Sequence, residues 1–477
     1  MLSARNIENG RIVFSEFRLI ADADFEREHS RTRVSAGDVL VTIVGALGRA
    51  AVVPPEVEPF TLQRSVAVLR PQRVDPSFLA AQFQAPVVQA WIQAHAKGTA
   101  QRGIYLGALG GLSVRVPPLN EQRRIVAKLE ALQARSRRAR EALDAVPPLL
   151  EKLRQSILAA AFRGDLTKDW RAKHKDVEPA TELLKRSRAE RKKKWEESEL
   201  AKMKAKGKPP TDDKWKAKYK EPALIDTTGL PELPEGWCWA GLSEIASLQL
   251  GQRRAPEYEH ETQYPYVRAA NITWRGLDLS DVKTMGFADP GGVSLEPGDV
   301  LLSEASGSPT EVGKPALWNG EIAGCCFQAT VLRVRSWTAS VQGRWLYLAF
   351  LRNASLGDFA AMAPGIGILH LTAERMRAWP VPLAPAEEQN AVAERVEAAL
   401  RRAYSSEDLV SSLSKRCEAV DRAIFAKAFR GELVAQDPND EPSNTMLARV
   451  HGTKVTVTTP PTARKRRSKA VAEDVEV

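Results

Sequence analysis

No run of about eighteen apolar residues occurs anywhere in this chain of 477 residues, so a membrane-spanning helix is not expected. The opening residues, Met1-Leu2-Ser3-Ala4-Arg5, lack the basic, apolar and small-residue sectors of a secretory leader. Cysteine is scarce. Cys238, Cys325, Cys326 and Cys417 show no paired spacing, which argues against a disulfide framework and a structural zinc site. Six histidines (His29, His95, His174, His260, His370, His451) are scattered without the spacing of a metal site or a catalytic triad. These absences describe a reduced, cytoplasmic protein with ordinary core cysteines.

Charge is present but unevenly placed. The formal net charge is +10, and residues 167–220 hold 19 Lys/Arg against 10 Asp/Glu, or +9. The rest of the chain is nearly neutral, so a nucleic-acid surface outside that segment needs local placement of a few basic groups or a partner's help. The length itself predicts two or three domains.

What is abundant is repetition. "AFRGDL" at Ala161–Leu166 returns as "AFRGEL" at Ala428–Leu433, 267 positions later. Glu121-Gln122 returns as Glu388-Gln389 at the same interval. Gly37-Asp38-Val39-Leu40 pairs with Gly298-Asp299-Val300-Leu301, "ARNI" ending at Ile7 with "AANI" ending at Ile272, and "EPATELL" from Glu178 faintly with "EPSNTML" from Glu441. The chain is a tandem duplication.

Each half changes texture once. Residues 1–118 and 231–384 carry short β-branched runs between Gly, Pro and Asn, which is strand-and-turn texture. Each of these parts also has a helical stretch, Pro76–His95 and Gln342–Met362. After them, over 119–166 and 385–435, small or apolar residues recur in alternating steps of four and three. The first series is Ile125, Leu129, Leu132, Ser136, Ala139, Leu143, Val146, Leu150, Leu153 and Ile157, and the second repeats it 267 positions on, from Val392 to Ile424. This is a heptad seam. About forty-four residues of helix would run roughly 66 Å, and Pro147-Pro148 should interrupt the first one. The expected architecture is α+β: two mixed α/β globules separated by two long helices packed as an antiparallel coiled coil, with pseudo-two-fold symmetry. Residues 167–230 read as a basic linker, partly helical before Met203, and 436–477 as a disordered tail.

In this order, with "PPLNEQRRIVAKLEAL" and "EEQNAVAERVEAAL" opening the helices and "AFRG" closing them, the chain resembles the specificity subunit of type I restriction–modification systems. The resemblance runs from about Ala4 to about Leu447. It implies two target-recognition domains, each reading half of a split site in double-stranded DNA, on helices that fix the gap and dock two methyltransferase subunits. Restriction subunits would join through the complex. No cofactor is implied in this chain; S-adenosylmethionine, ATP and Mg would belong to the partner subunits. One departure stands out: five residues precede Asn6, whereas about forty separate Pro231 from its counterpart Asn271. The first globule is therefore expected to lack its opening thirty-odd residues, through truncation or a misplaced start, and to expose a sheet edge.

Enzymatic alternatives find little support. "GSPTEVGKP" (Gly307–Pro315) resembles a phosphate loop, but its first glycine is one position too far from Gly313-Lys314 and Pro315 replaces the metal-binding hydroxyl. Gly45-Ala46-Leu47-Gly48 continues into no dinucleotide fingerprint, and no Asn/Asp-Pro-Pro-Tyr/Phe segment of an amino-methyltransferase occurs. Direct readout needs Arg, Lys, Asn or Gln at base edges. The candidates are Gln252, Arg253, Arg254, Arg268, Asn271 and Arg275 in the second half, and Arg5, Asn6, Arg11, Gln101 and Arg102 in the first. Since a repeat should diverge where it reads, the conserved pair Asn6 and Asn271 are also candidates for holding a turn. Glu121 and Glu388 are expected to cap helices. The competing reading is a coiled-coil adaptor with only non-specific DNA binding.

Overall fold

The computed structural model describes residues 1–451 apart from 9, 99–101, 208–209, 223 and 363–368. Two compact units divide it, one of residues 1–144 with those from 411 on, the other of residues 145–410. Among the described residues no helix is long and apolar enough to cross a membrane. The tail predicted to be disordered lies largely outside them.

The first unit holds a three-stranded antiparallel sheet, with Val39–Thr42 between Ala50–Val52 and Val66–Leu69. All four residues of its central strand are buried, as a β-branched run between two layers should be. The helical stretch predicted over Pro76–His95 is two helices, Pro76–Gln82 and Pro86–His95. Pro86 has no N–H to continue the first helix but suits the first turn of the second. Phe78, Phe83 and Ile92 from these helices share a core with Ile125 and Leu129 of the helix Leu119–Asp144, and with Phe425 and Phe429 near the end of the chain's last long helix.

The second unit repeats this plan with more strands. Its main sheet has four, in the order Pro315–Leu317, Val300–Ser303, Val331–Ser336, Ala246–Leu250. A further pair joins Pro380–Leu383 to Cys238–Gly241. The helix Gly343–Leu356 fills the core with Trp345 and Phe350. Packed with it are Leu158, Ala161 and Phe162 of the helix Val146–Phe162, and Val392, Val396 and Leu400 of the helix Ala386–Ala428.

The interruption expected at Pro147-Pro148 falls at Ala145, where Leu119–Asp144 gives way to Val146–Phe162. The later helix runs unbroken for 43 residues. The seam is not uniformly buried. Leu153 and Val420, equivalent positions in the two repeats, remain 48% and 54% exposed.

The segment read as a linker is also more structured than its composition suggests. Its helix Ala180–Ala205 buries Ala180, Leu183, Leu184 and Ser187 in the second unit. Trp195, Trp215 and Tyr219 then form their own aromatic cluster. Four small or apolar positions in two turns suffice to dock a helix, and the average over a long, charge-rich segment hides them.

Each copy of "AFRG" closes a helix on its own core. Gly164 and Gly431 adopt left-handed backbones (φ 75° and 82°), which ends a helix without the strain a side chain would add. Phe162 packs on Trp345 at 4.9 Å between ring centroids, and Phe429 packs on Phe78 at 5.4 Å.

Burial raises the thiols of Cys238 and Cys326 to about 11 and that of Cys325 to about 12. A raised pKa leaves little thiolate near neutrality. Thiol reagents at pH 8 should therefore label half-buried Cys417 well before Cys325 and Cys326 in the folded protein. Mass spectrometry of briefly treated protein reads the order, and equal labelling of all four would contradict it.

Candidate nucleic-acid interface

In the second unit the strand Ala246–Leu250 leads into Gly251-Gln252-Arg253-Arg254. Gly251 lies so close to a neighbouring chain segment that an added Cβ would come within 2.3 Å of the Gln328 carbonyl oxygen. Gln252 then anchors the loop. Its Nε2 donates to the Gly286 carbonyl at 3.0 Å, and its Oε1 accepts from the Ala288 amide at 3.2 Å. Both polar atoms of its side chain are thus engaged within the unit. Arg253 and Arg254 follow on the surface. Arg253 pairs with Glu257 at 3.3 Å, an exposed contact of the kind that costs little to break. Gly251→Ala should displace this loop: since the clash is with backbone, unfolding of the second unit should move by roughly 1–3 kcal/mol, as for overpacking. Denaturant titration reads this shift, and unchanged stability would contradict the close approach.

The other candidates are less free. The Asn271 side chain accepts from the Arg268 amide and donates to the carbonyls of Asp278 (2.9 Å) and Asp281 (3.1 Å). Asn6 makes the same three bonds, to the Ser3 amide and the carbonyls of Val13 (2.9 Å) and Glu16 (3.0 Å). Both are buried. Each therefore holds a loop rather than facing a ligand, which explains why the duplication keeps them. Arg268 is paired with Asp281. Arg275 is committed to Glu407 at 2.8 Å and Asp408 at 2.7 Å, with its guanidinium over the Tyr404 ring. Arg275 and Arg154 hold the Glu407 carboxyl below its usual range. Arg154, Arg275, Tyr404 and Glu407 line one side of a cavity of about 630 Å³ that is otherwise largely apolar, with Leu158, Trp274, Leu351 and Leu400 in its wall.

In the first unit Arg5 and Arg11 are exposed. Arg5 lines a cleft of about 320 Å³ with Gly45, Ala46, Gln63, Ser65 and Arg49. Among the described residues no carboxylate lines it. Arg49 escaped the sequence reading, because only the fold brings the loop after Val39–Thr42 beside Arg5. Arg102 donates to the Gln93 carbonyl at 2.7 Å and to its Oε1 at 3.0 Å. Gln101 lies outside the described residues.

The Glu-Gln pair does more than begin a helix. Gln122 Oε1 accepts from the Asp75 amide at 2.8 Å and its Nε2 donates to the Pro117 carbonyl at 2.8 Å. Gln389 does the same with the Gln342 amide (3.0 Å) and the Ala384 carbonyl (2.9 Å). Asp75 and Gln342 precede the helices Pro76–Gln82 and Gly343–Leu356, so each glutamine clamps a long helix to its globule. Glu388 is fully buried, accepting from the Thr167 hydroxyl (2.6 Å), Arg171 (2.5 Å) and the Trp237 indole (2.8 Å). It is a junction rather than the cap expected from its position.

The Lys314 ammonium pairs with Glu311, and the strand Pro315–Leu317 follows, not a helix N-terminus that could cradle phosphate. Among the described residues no cluster of His, Cys, Asp and Glu could hold a metal ion.

Comparison with known proteins places these features in context. Residues 4–143 match the family "Type I restriction modification DNA specificity domain". The Escherichia coli type I restriction enzyme EcoBI specificity subunit is 33% identical over 192 residues, which cover 39% of this chain and 40% of that protein. The chain thus spans about two fifths of that relative's length. The EcoKI specificity subunit of E. coli K12 is 22% identical over 454 residues, covering 91% of this chain and 82% of that one. Among solved structures, a chain from a study of type I R-M system assembly and conformational transition superposes with a TM-score of 0.61 at 20% identity, covering 84% of this chain and 83% of that chain. The HsdS subunit from Thermoanaerobacter tengcongensis gives 0.50 at 20% identity, covering 90% of each. These two likenesses establish a shared fold.

Proposed function

We propose that this chain, which belongs to the family of type I restriction–modification specificity subunits, is the sequence-specific DNA-recognition subunit of such a complex. The single observation that carries the reading is the doubled junction. The same glutamine clamps, the same Phe closures and the same buried asparagine loops recur in both units, while the polar loops around them differ. Two like scaffolds with unlike loops suit a split site whose halves differ. Arg253 and Arg254 in one unit, and Arg5, Arg11 and Arg49 in the other, are exposed basic groups that would meet DNA, through phosphate contacts that position and base contacts that specify. The long helices would pack antiparallel and set the gap between half-sites, one duplex turn being about 34 Å. Leu153 and Val420, exposed at equivalent positions, support two like docking surfaces for two methyltransferase subunits. Methylation and ATP-dependent cleavage, with S-adenosylmethionine, ATP and Mg, would reside in partner subunits, and this chain would do no chemistry itself.

Modified-base sequencing of the host genome with and without the gene tests the reading. Methylation at a split motif should vanish on deletion. An unchanged methylome, with purified protein whose DNA binding ignores sequence and collapses with salt, would favour the adaptor reading.

A further inference from the structure

A groove between globule and long helices occurs in both units, but the duplication has lined it differently. In the first unit Gln133, Arg137 and Arg140 lie on one face of the helix Leu119–Asp144, at steps of four and three. They meet Asp421, Arg422 and Phe425 of the last long helix around a cleft of about 350 Å³. Gln84, between the helices Pro76–Gln82 and Pro86–His95, completes the lining. Phe425 is buried, whereas Arg137, Arg140 and Arg422 are exposed.

Every residue of this lining has its counterpart, 267 positions away, in the lining of the 630 Å³ cavity of the second unit. Among the described residues, 231–273 contribute nothing to that cavity. Two features are kept. Leu158 is buried there as Phe425 is here, and the cross-helix ion pair persists with its charges exchanged: Arg154 with Glu407 at 3.1 Å, Asp421 with Arg140. The rest has changed in one direction. Leu351, Leu400, Tyr404 and Gln155 stand where Gln84, Gln133, Arg137 and Arg422 stand in the first unit, and each of these differences adds hydrogen-bond donors to the first. The charge balance differs too. In the second unit Arg154 meets Glu151 at 2.6 Å as well as Glu407. In the first, Asp421 is the one carboxylate of the lining among the described residues. There Arg137 makes no ion pair among those residues, and Arg422 reaches Glu418 at 3.9 Å on the exposed helix surface.

We propose that the cleft of the first unit is a binding site for a phosphate group. Three guanidiniums gathered around one cleft with a single carboxylate repel one another. An oxyanion between them relieves that repulsion and accepts their paired N–H groups, in the manner of arginine clusters that hold phosphate. The carboxamides of Gln84 and Gln133 add neutral donors. A small phosphate compound and a DNA backbone both carry this chemistry; in the second case the inference rests on the recognition reading above, in the first it does not. The second unit's cavity, with leucines and a tyrosine in these places, should take no such ligand.

Two probes of the full chain separate these sources. Isothermal titration with inorganic pyrophosphate, in phosphate-free buffer of low ionic strength, reads the small anion without DNA. Anisotropy of a labelled duplex of arbitrary sequence, repeated at several salt concentrations, reads the backbone. Arg137→Gln and Arg422→Gln should each weaken pyrophosphate binding about tenfold, as loss of a charge-assisted hydrogen bond does. If the backbone is the ligand, each should instead lower the slope of log K against log salt by about one. Arg135→Gln and Arg138→Gln, exposed on the same helix but outside the lining, should change neither reading. The proposal is overturned if neither probe responds to Arg137→Gln and Arg422→Gln. Equal responses to Arg135→Gln and Arg138→Gln overturn it as well, since the charge of the helix at large would then suffice.

Discussion

Replacing Glu388 by alanine is expected to destabilise the unit of residues 145–410 by about 3–5 kcal/mol, the usual cost of breaking a buried ion pair from one side. The carboxylate is fully buried and gathers three donors from three places in the sequence: Thr167, Arg171 and Trp237. Without it, Arg171 keeps its charge in a half-buried position, and the Trp237 indole loses its acceptor. Calorimetry should resolve the effect if the two units melt separately, since a single transition is not guaranteed in a chain of two units. Only one transition should move. Glu121→Ala, at the same place in the other repeat, should cost less because no hydrogen bond among the described residues is lost. Equal shifts for both substitutions would show that burial, not the junction's bonding, sets the effect.

The second large effect concerns DNA. Arg253→Ala and Arg254→Ala should each weaken binding to the cognate site, by about 1–3 kcal/mol where the guanidinium reads a base edge. The fold should be unaffected, since both side chains lie on the surface and the partner of Arg253 among the described residues is the exposed Glu257. The salt dependence separates two ways of contributing. A base contact relaxes sequence preference at one position of one half-site. A phosphate contact weakens all sequences alike and lowers the slope of log K against log salt by about one. Arg275→Ala is the comparison: its guanidinium is held by Glu407 and Asp408, so sequence preference should stay as it was. If both Arg253 and Arg254 variants match the parent in affinity and slope, this loop does not face DNA.

The glutamine clamps show where sequence reading stopped short. Glu-Gln at the start of each long helix was legible as a repeated mark, and helix capping was the local explanation. The actual partners of Gln122 and Gln389 include amides 47 residues away. Nothing in a local pattern signals such a bond. The asparagines are the converse case. Their exact retention in a duplication already argued against reading DNA, and the geometry supplied the reason in matched hydrogen bonds to matched carbonyls. Arg275 looked as available as Arg253 in sequence, but carboxylates about 130 positions later claim it.

The sequence by itself determined the duplication, the alternation of strand-rich and heptad segments, the helix break near Pro147-Pro148 and the glycines that end both helices. These are local or periodic properties: a proline without an N–H, a glycine free to turn left-handed and a spacing of small residues act wherever the chain lies. Only the tertiary structure decided which charged and polar side chains remain free. It spent Asn6, Asn271, Gln252 and Arg275 on the fold, brought Arg49 beside Arg5, and made Glu388 a junction while giving Glu121 no such set of donors among the described residues. The physical reason is that desolvation acts through neighbours in space. Whether a polar group is buried and paired depends on residues far away in the chain, and composition and spacing carry no record of them.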